Sequence, residues 1–382
     1  MHHVYLSPGM FGFARLASYD YFVHVERALA ARFRDAGQQV ELHVVDVLPT
    51  ASIRRRATKL AELIEQTATG DGAIHLLGHS TGGIDARLVA SPGSLPLAGA
   101  MAWLPRLRSV TTMNTPHRGT PLASFFATAY GQRILAALSA FTFIGLSIGQ
   151  RPLAAAGALI RILGRGDRAF GLELRYLDRS VDSLIELVDG AGQPEVRTYL
   201  NAIKDDQGSM LQLAPEAMDL IAAGFDDRPG VAYQSTVSMS PAPSRANWLE
   251  MIGHPAEAIS LALFTALHRL TSEIDERYPC ARTAPTNVDA TESALVSAFG
   301  AALDPHASDG VVPIRSQLWG TVVWAGLADH LDVLGHYHDA DRDHAGDARH
   351  HDWMTSGSSF GHAQFAALMD AISRGMLTAS PS

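Results

Sequence analysis

The sequence is almost free of cysteine. Cys280 is the only one among 382 residues, so no disulfide can form within the chain. A single cysteine fits a reducing compartment without requiring one. Residues Met1–Leu6 run directly into a strand-like segment, with no basic region followed by an apolar run and a small-residue cleavage site. We therefore expect a cytoplasmic protein. The alternative is a secreted mature form from which a leader has been removed.

An excess of basic charge is also missing. The chain has 30 Lys and Arg against 39 Asp and Glu, for a net charge of −9. Phosphate binding needs a basic face, so this balance argues against nucleic acid as the main partner. No block of like charge is long enough to predict a disordered tail.

Apolar residues are plentiful and follow a pattern. They make up 47 % of the chain, and short apolar runs alternate with amphipathic helical patterns. This alternation predicts an α/β fold with a mostly parallel sheet flanked by helices. The predicted strands are Val4–Leu6, Val40–Val47, Ala73–Gly78, Ser109–Met113, Val231–Val237 and Thr321–Ala325. The predicted helices are Asp20–Arg34, Ser52–Thr67, a segment from Thr81, Asn247–Arg277 and Gly361–Arg374.

The alternation stops after Thr120. Residues 121–225 show mostly helical patterns, so we expect a core built from 1–120 and 226–382 with a helical cap or lid inserted at 121–225. Inside the insertion, the stretch between Arg133 and Arg151 is uncharged and strongly apolar. It is too short and too interrupted by glycine to span a membrane comfortably. It predicts either a buried helix pair or an apolar lid.

The strongest local motif is Gly78-His79-Ser80-Thr81-Gly82-Gly83. It follows an apolar strand pattern and precedes a helical one, which is the context of a nucleophile elbow. Small residues relieve crowding where the chain turns sharply, and the helix N-terminus favours a developing oxyanion. Ser80 is therefore the predicted nucleophile. The alternative is a glycine-rich turn with an incidental serine.

A serine nucleophile needs a base and an acid, which follow it along the chain in this kind of fold. We assign Asp309 as the acid, because Asp309-Gly310-Val311-Val312 places a carboxylate in a turn, with Asp304 as its competitor. We assign His330 as the base, because it follows the last predicted strand. The histidines and aspartates that crowd the next segment predict mostly a solvated loop, with a metal or pH-sensitive cluster as the weaker alternative. They are His336, His338, His344, His350, His351, Asp339, Asp341, Asp343 and Asp347.

Two backbone N–H groups should bind the oxyanion. One belongs to Thr81, directly after the nucleophile, and the other to the loop after the first strand, where we assign Met10. Gly9 and Gly12 would let that loop approach the substrate closely. The predicted substrate-binding residues are Phe11, His79, His117, Phe141 and Phe143.

Together these motifs resemble the bacterial true lipases of the Pseudomonas and Burkholderia type. Four blocks carry the resemblance: Pro8–Phe13 with Asp20-Tyr21-Phe22, Gly78–Gly83, Asn114–Thr120, and the acid and base segments around Asp309 and His330. The resemblance implies the α/β-hydrolase fold and ester hydrolysis. The sequence departs from that family at Pro8, where a histidine is usual, at Gly335 and His336, and in lacking the family's disulfide.

The resemblance also implies a structural calcium near the base. The implied ligands are Asp289 and Asp332, with backbone carbonyls near His336 and Ala340. Oxygen ligands of this kind suit calcium.

The sequence thus predicts a carboxylesterase or lipase that acts through an acyl-enzyme on medium or long acyl chains and needs no cofactor for catalysis. Its partner would be a small-molecule ester or a lipid, with transient contact to a lipid interface through the cap. The oligomeric state is left open. An acyltransferase or thioesterase would use the same triad, and a silent binding protein is the alternative from another class.

Overall fold

The computed structural model describes residues 1–10, 15–16, 19–48, 50–93, 95, 101–128, 131, 134–135, 137–140, 185–186, 192–206, 208–278, 280, 288–300, 303–342, 348–350, 352 and 354–379. The strands of this part are β1 (His2–Ser7), β2 (Arg15–Leu16), β3 (Tyr19–Asp20), β4 (Val40–Val44), β5 (Ala73–His79), β6 (Leu107–Met113), β7 (Ala232–Met239), β8 (Thr321–Leu327), β9 (Tyr337–Arg342) and β10 (Ala348–His350). The helices are α1 (Val23–Asp35), α2 (Ile53–Thr67), α3 (Thr81–Ala90), α4 (Pro121–Phe126), α5 (Gln193–Asp205), α6 (Gly208–Gln212), α7 (Pro215–Ala222), α8 (Arg245–Glu250), α9 (Pro255–Thr271), α10 (Val288–Phe299), α11 (Ile314–Gln317) and α12 (His362–Thr378).

Six strands form one sheet in the order β4-β1-β5-β6-β7-β8, and every neighbouring pair is parallel. The central strand β5 carries Ile74, Leu76 and Leu77, which are all fully buried. Apolar side chains on both faces of a strand are expected where helices cover a parallel sheet on both sides. The sheet with its flanking helices is the α/β-hydrolase fold, as the sequence predicts.

The early helices follow their sequence signals closely. In α1, Val25, Leu29 and Phe33 recur at helical spacing and are the buried face. In α2, the Ser52 hydroxyl caps the helix by accepting a hydrogen bond from the Arg55 N–H. Because β1, β5 and β8 run in the same direction, the loops after them meet at one edge of the sheet.

Two expectations about the second half are wrong. The long helix expected over Asn247–Arg277 is two helices, α8 and α9, because Pro255 has no N–H to continue the first helix and instead begins the second. The histidine-rich segment after His330 is not simply a solvated loop, since β9 pairs with β10 and His336 is buried.

The expected cap is described only in part. Within it, Ile134, Leu135 and Leu138 are buried in the main core, whereas Phe141 and Phe143 lie outside the described residues. The end of the insertion is held by the core, because Ser209 N–H donates to the Thr50 carbonyl at 3.0 Å. The division into core and cap therefore stays a prediction. No helix of the described part has the length and apolar composition to cross a membrane.

Candidate active site

Ser80 lies at the sharp turn between β5 and α3. Its backbone has a φ of 54° and a ψ of −126°, which is uncommon for a residue with a side chain and typical of a strained functional turn. The surrounding glycines are required by space. A Cβ on Gly78 would overlap the backbone of Gly82 and Gly83, and one on Gly82 would overlap the carbonyl of Ser7. The chain can therefore make this turn only with the small residues that the motif supplies.

The structure brings Ser80, His330 and Asp309 into one hydrogen-bonded chain. The Ser80 hydroxyl lies 2.9 Å from Nε2 of His330. Nδ1 of His330 donates to Oδ2 of Asp309 at 2.8 Å. This is the geometry in which an imidazole can accept the hydroxyl proton while a carboxylate stabilises the resulting positive charge.

Hydrogen bonds fix both the side chain and the backbone of Asp309. Its Oδ1 accepts the N–H groups of Val311 at 2.9 Å and Val312 at 2.7 Å, and its backbone carbonyl accepts the His330 N–H at 3.0 Å. The carboxylate is fully buried. The competing Asp304 is exposed and accepts instead from the backbone of His306 at 2.8 Å. Asp309 is thus the carboxylate that the structure places beside His330.

His79 is hydrogen-bonded to the loop that carries His330, residues 328–331, which we call the base loop. Its Nε2 donates to the carbonyl of His330 at 2.9 Å, and its Nδ1 accepts the Tyr21 hydroxyl at 2.8 Å. Burial and the neighbouring His330 hold the pKa of His79 well below its ordinary value, so the ring is neutral. With both nitrogens engaged and the ring buried, His79 positions the loop. The predicted contact of His79 with substrate stays a prediction.

The predicted oxyanion loop lies close to the nucleophile. A Cβ on Gly9 would lie 3.0 Å from the Cβ of Ser80, which is closer than most such contacts, so glycine favours this approach. Met10 is the last described residue of the loop, and Phe11 and Gly12 lie outside the described part. Thr81 is the first residue of α3. Thr81 thus follows Ser80 directly and Met10 follows Gly9, while their role as oxyanion donors stays a prediction.

A buried ion pair contacts the loop after β1. Nε of Arg56 donates to Oδ2 of Asp85 at 2.9 Å, and its guanidinium also donates to the carbonyl of Pro8 at 2.5 Å. The Ser7 hydroxyl donates to the same Asp85 oxygen at 2.9 Å. Burial raises the pKa of Asp85, and Arg56 opposes that shift. The pair therefore links α2, α3 and the loop after β1.

His117 is packed in the core beside Arg87. Arg87 donates to its Nδ1 at 3.0 Å, and Nε2 lies 3.0 Å from the Thr112 hydroxyl. The Arg87 guanidinium in turn lies 3.3 Å from the centre of the Trp319 ring. His117 is fully buried, so the predicted contact with substrate is not supported. The specific sequence around it reflects packing between β6 and α3.

Comparisons with known proteins find similarity over part of the chain or at low identity. No family model matches the chain. A protein from Vibrio cholerae named triacylglycerol lipase is 34 % identical over 122 residues, which are 31 % of this chain and 34 % of that protein. The chain therefore spans about a third of the curated relative that it matches.

Two solved structures extend over more of the chain at low identity. EstA from Clostridium botulinum has a TM-score of 0.48 at 17 % identity, covering 96 % of this chain and 87 % of that one. The Staphylococcus hyicus lipase has a TM-score of 0.47 at 14 % identity, covering 100 % and 97 %.

Three carboxylates meet behind the base loop. Asp329, Asp332 and Asp352 offer oxygens that lie within 4.8 Å of one another. Burial and the neighbouring Asp352 raise the pKa of Asp329 to about 7, and burial with both neighbours raises that of Asp332 well above its ordinary value. Oδ2 of Asp329 is buried and makes no hydrogen bond within the described residues. These groups fit a hard divalent cation such as calcium.

The ligand set differs from the one that the resemblance implies. Asp332 belongs to both sets of candidate ligands, whereas the sequence analysis did not indicate Asp329 or Asp352. The side chains of Asp289 and Ala340 lie outside the described part, so the contributions of Asp289, His336 and Ala340 stay predictions. Asp352 is distant in sequence from the base, and no local spacing could have indicated it.

Proposed function

We propose that this chain is a carboxylic ester hydrolase that acts through an acyl-enzyme on Ser80. The observation that carries the proposal is the hydrogen-bonded chain from Ser80 through His330 to Asp309, with a Ser80–His330 distance of 2.9 Å, on a strained turn at a helix N-terminus. Ester hydrolysis is the chemistry that such a chain of groups serves without a cofactor.

The geometry supports the following sequence of steps. Ser80 Oγ attacks the ester carbonyl carbon while its proton moves to Nε2 of His330, which lies 2.9 Å away. The tetrahedral oxyanion would be bound by the N–H groups of Thr81 and Met10. His330 then gives its proton to the departing alcohol. In the second half, a water molecule attacks the acyl carbonyl as His330 takes its proton, and His330 returns that proton to Ser80 Oγ as the carboxylic acid leaves. Asp309 keeps the imidazole oriented throughout.

For the substrate, we propose esters with medium or long acyl chains. The 34 % identical segment of a protein named triacylglycerol lipase supports this class. Phe141 and Phe143, which follow the buried Ile134 and Leu135 in the sequence and lie outside the described residues, would bind the acyl chain and make a transient contact with lipid. Each buried methylene adds about 0.8 kcal/mol to binding, so longer chains should be favoured until the acyl-binding site is filled.

A labelling experiment tests the proposal directly. A fluorophosphonate probe should modify wild-type protein at Ser80 and leave Ser80→Ala unmodified. Hydrolysis of a nitrophenyl ester series from acetate to palmitate should fall by about 10⁴-fold or more in Ser80→Ala. Near-wild-type turnover in that variant, with its fold intact by circular dichroism, would refute the nucleophile.

Acyl transfer to an alcohol or cleavage of a thioester would use the same groups. Product analysis with a competing alcohol, and a matched pair of oxygen ester and thioester, separates these alternatives from hydrolysis. A protein that binds without turnover would be labelled slowly or not at all by the probe.

We further propose that calcium, when bound, is held by Asp329, Asp332 and Asp352. It would neutralise buried carboxylates beside the base loop and so stabilise the position of His330. No catalytic step passes through it. The cytoplasmic location expected from the sequence stays a prediction.

A further inference from the structure

A second group of potential metal ligands lies on the sheet, at the opposite end of β1 from the active site. In the parallel pairing of β1 with β4, His3 is the partner of Glu41 and Tyr5 is the partner of His43. Partners in register, and residues two apart in a strand, point to the same face. His3, Glu41 and His43 therefore share one face, and β4 is an edge strand of the described sheet.

The three side chains converge. Nδ1 of His3 lies 3.2 Å from Oε2 of Glu41, and Nε2 of His43 lies 3.7 Å from the same oxygen. One donor atom from each residue lies within 4.8 Å of the other two. Zinc binds nitrogen and oxygen at about 2.0–2.2 Å, which puts the donors of a tetrahedral site about 3.4 Å apart. Small side-chain movements would bring these three donors onto one ion.

The ring nitrogens of His3 and Nε2 of His43 make no aligned hydrogen bonds within the described residues. The His3 side chain is 2 % exposed, yet neither of its ring nitrogens makes an aligned hydrogen bond to any described residue. The same holds for Nε2 of His43. Buried polar atoms are normally satisfied, and a cation held between these nitrogens and the facing Glu41 carboxylate would satisfy them.

The surroundings hold the rings in place. The Tyr5 ring stacks on His43 with centres 4.8 Å apart and planes 15° apart, and the Tyr5 hydroxyl is hydrogen-bonded to Thr67 at 2.9 Å. Gly72 leaves room for the other ring, because a Cβ there would come within 3.1 Å of Cδ2 of His3. Rings fixed by their neighbours are a feature of metal sites.

The cluster also has an open side. The Glu41 side chain is 48 % exposed and that of His43 is 21 % exposed, so an ion and its water ligands could enter from solvent.

We propose that His3, Glu41 and His43 form a structural site for zinc or a similar transition-metal ion. Two imidazoles with one carboxylate suit zinc, whereas calcium and magnesium prefer oxygen donors alone. The ion would join the edge strand β4 to β1 through side chains. It would stabilise the native state by mass action and act independently of the catalytic groups.

Calorimetric titration of the chelator-treated, dialysed chain of 382 residues with Zn²⁺ tests the site. We expect one zinc bound per chain, and tetrahedral or five-coordinate absorption bands when Co²⁺ replaces it. Glu41→Gln and His43→Ala should each weaken binding by more than about tenfold, since loss of a ligand's neighbour alone commonly costs that much. Both residues are partly exposed, so these variants should fold even if His3→Gln does not.

Two controls remove metal-binding groups elsewhere. His254→Ala deletes an exposed imidazole, and Asp352→Asn alters the acidic cluster behind the base loop. Both should bind zinc as the wild type does. The proposal is overturned if the wild type takes up no zinc at millimolar concentration, if Glu41→Gln and His43→Ala bind it unchanged, or if Asp352→Asn abolishes binding. Esterase activity is not used as the readout, because zinc could also bind His330 and inhibit hydrolysis.

Discussion

At the scale of single residues, some side chains of the site would take part in the reaction and others would hold those side chains in position. We assign Asp309 as the acid because its Oδ2 faces Nδ1 of His330 at 2.8 Å, whereas Asp304 is exposed. We expect Asp309→Asn and His330→Ala to lower kcat by about 10⁴-fold, since both disable the imidazole as a base. Asp304→Asn and His338→Ala should stay within about threefold of wild type by the same ester assay. The reverse pattern would show that the acid or base is misassigned.

His79 offers a test of positioning at the same scale. A carbonyl can only accept, so Nε2 of His79 carries the proton that binds the His330 carbonyl at 2.9 Å, and Nδ1 must accept from Tyr21. His79→Leu should lower kcat with little change in KM, because the base loop loses its anchor while the acyl pocket remains. His79→Gln keeps a donor and should recover part of the rate. Equal rates in the two variants, or a change in KM alone, would contradict this role.

Between elements, the Arg56–Asp85 pair connects α2 and α3, and Arg56 also donates to the carbonyl of Pro8 in the predicted oxyanion loop. Both side chains are fully buried. Removing one partner leaves a buried charge without its counter-ion, which typically costs about 3–5 kcal/mol. Asp85→Asn and Arg56→Met should each lower the free energy of unfolding by that order, measured by urea denaturation. The double variant should lose less than the sum of the two, and strict additivity would mean that the pair is not coupled.

The same scale shows what could be predicted from the sequence. The elbow at Ser80 and the cap at Ser52 were predictable, because residues next to each other in the chain determine them. The hairpin of β9 and β10 was not, since Tyr337–Arg342 is rich in Asp and His and has no β-branched residue. The Arg56–Asp85 pair depends on which helices become neighbours, and the His3–Glu41 contact depends on which strands do. Local spacing carries no information about that.

For the molecule as a whole, the acidic cluster should make stability depend on pH and on calcium. Without a cation, burial raises the pKa of Asp329 to about 7 in the folded state, against about 3.9 for an ordinary aspartate. The folded protein then holds this proton more tightly than the unfolded chain does. The stability contributed by the protonated group is complete below about pH 4 and is lost as the pH rises through about 7.

We therefore expect the melting temperature in chelator to fall between pH 5 and pH 8, and more steeply in wild type than in Asp329→Asn. The difference between the two proteins removes the contribution of the other titrating groups to the pH dependence. Calcium favours the ionised carboxylates, so it should raise the wild-type melting temperature more at pH 8 than at pH 5. At a hundred times the dissociation constant the gain is about 2.7 kcal/mol. Differential scanning calorimetry across this range decides the matter. Parallel pH profiles for wild type and Asp329→Asn, with no response to calcium in either, would mean that the cluster neither strains the fold nor binds the ion.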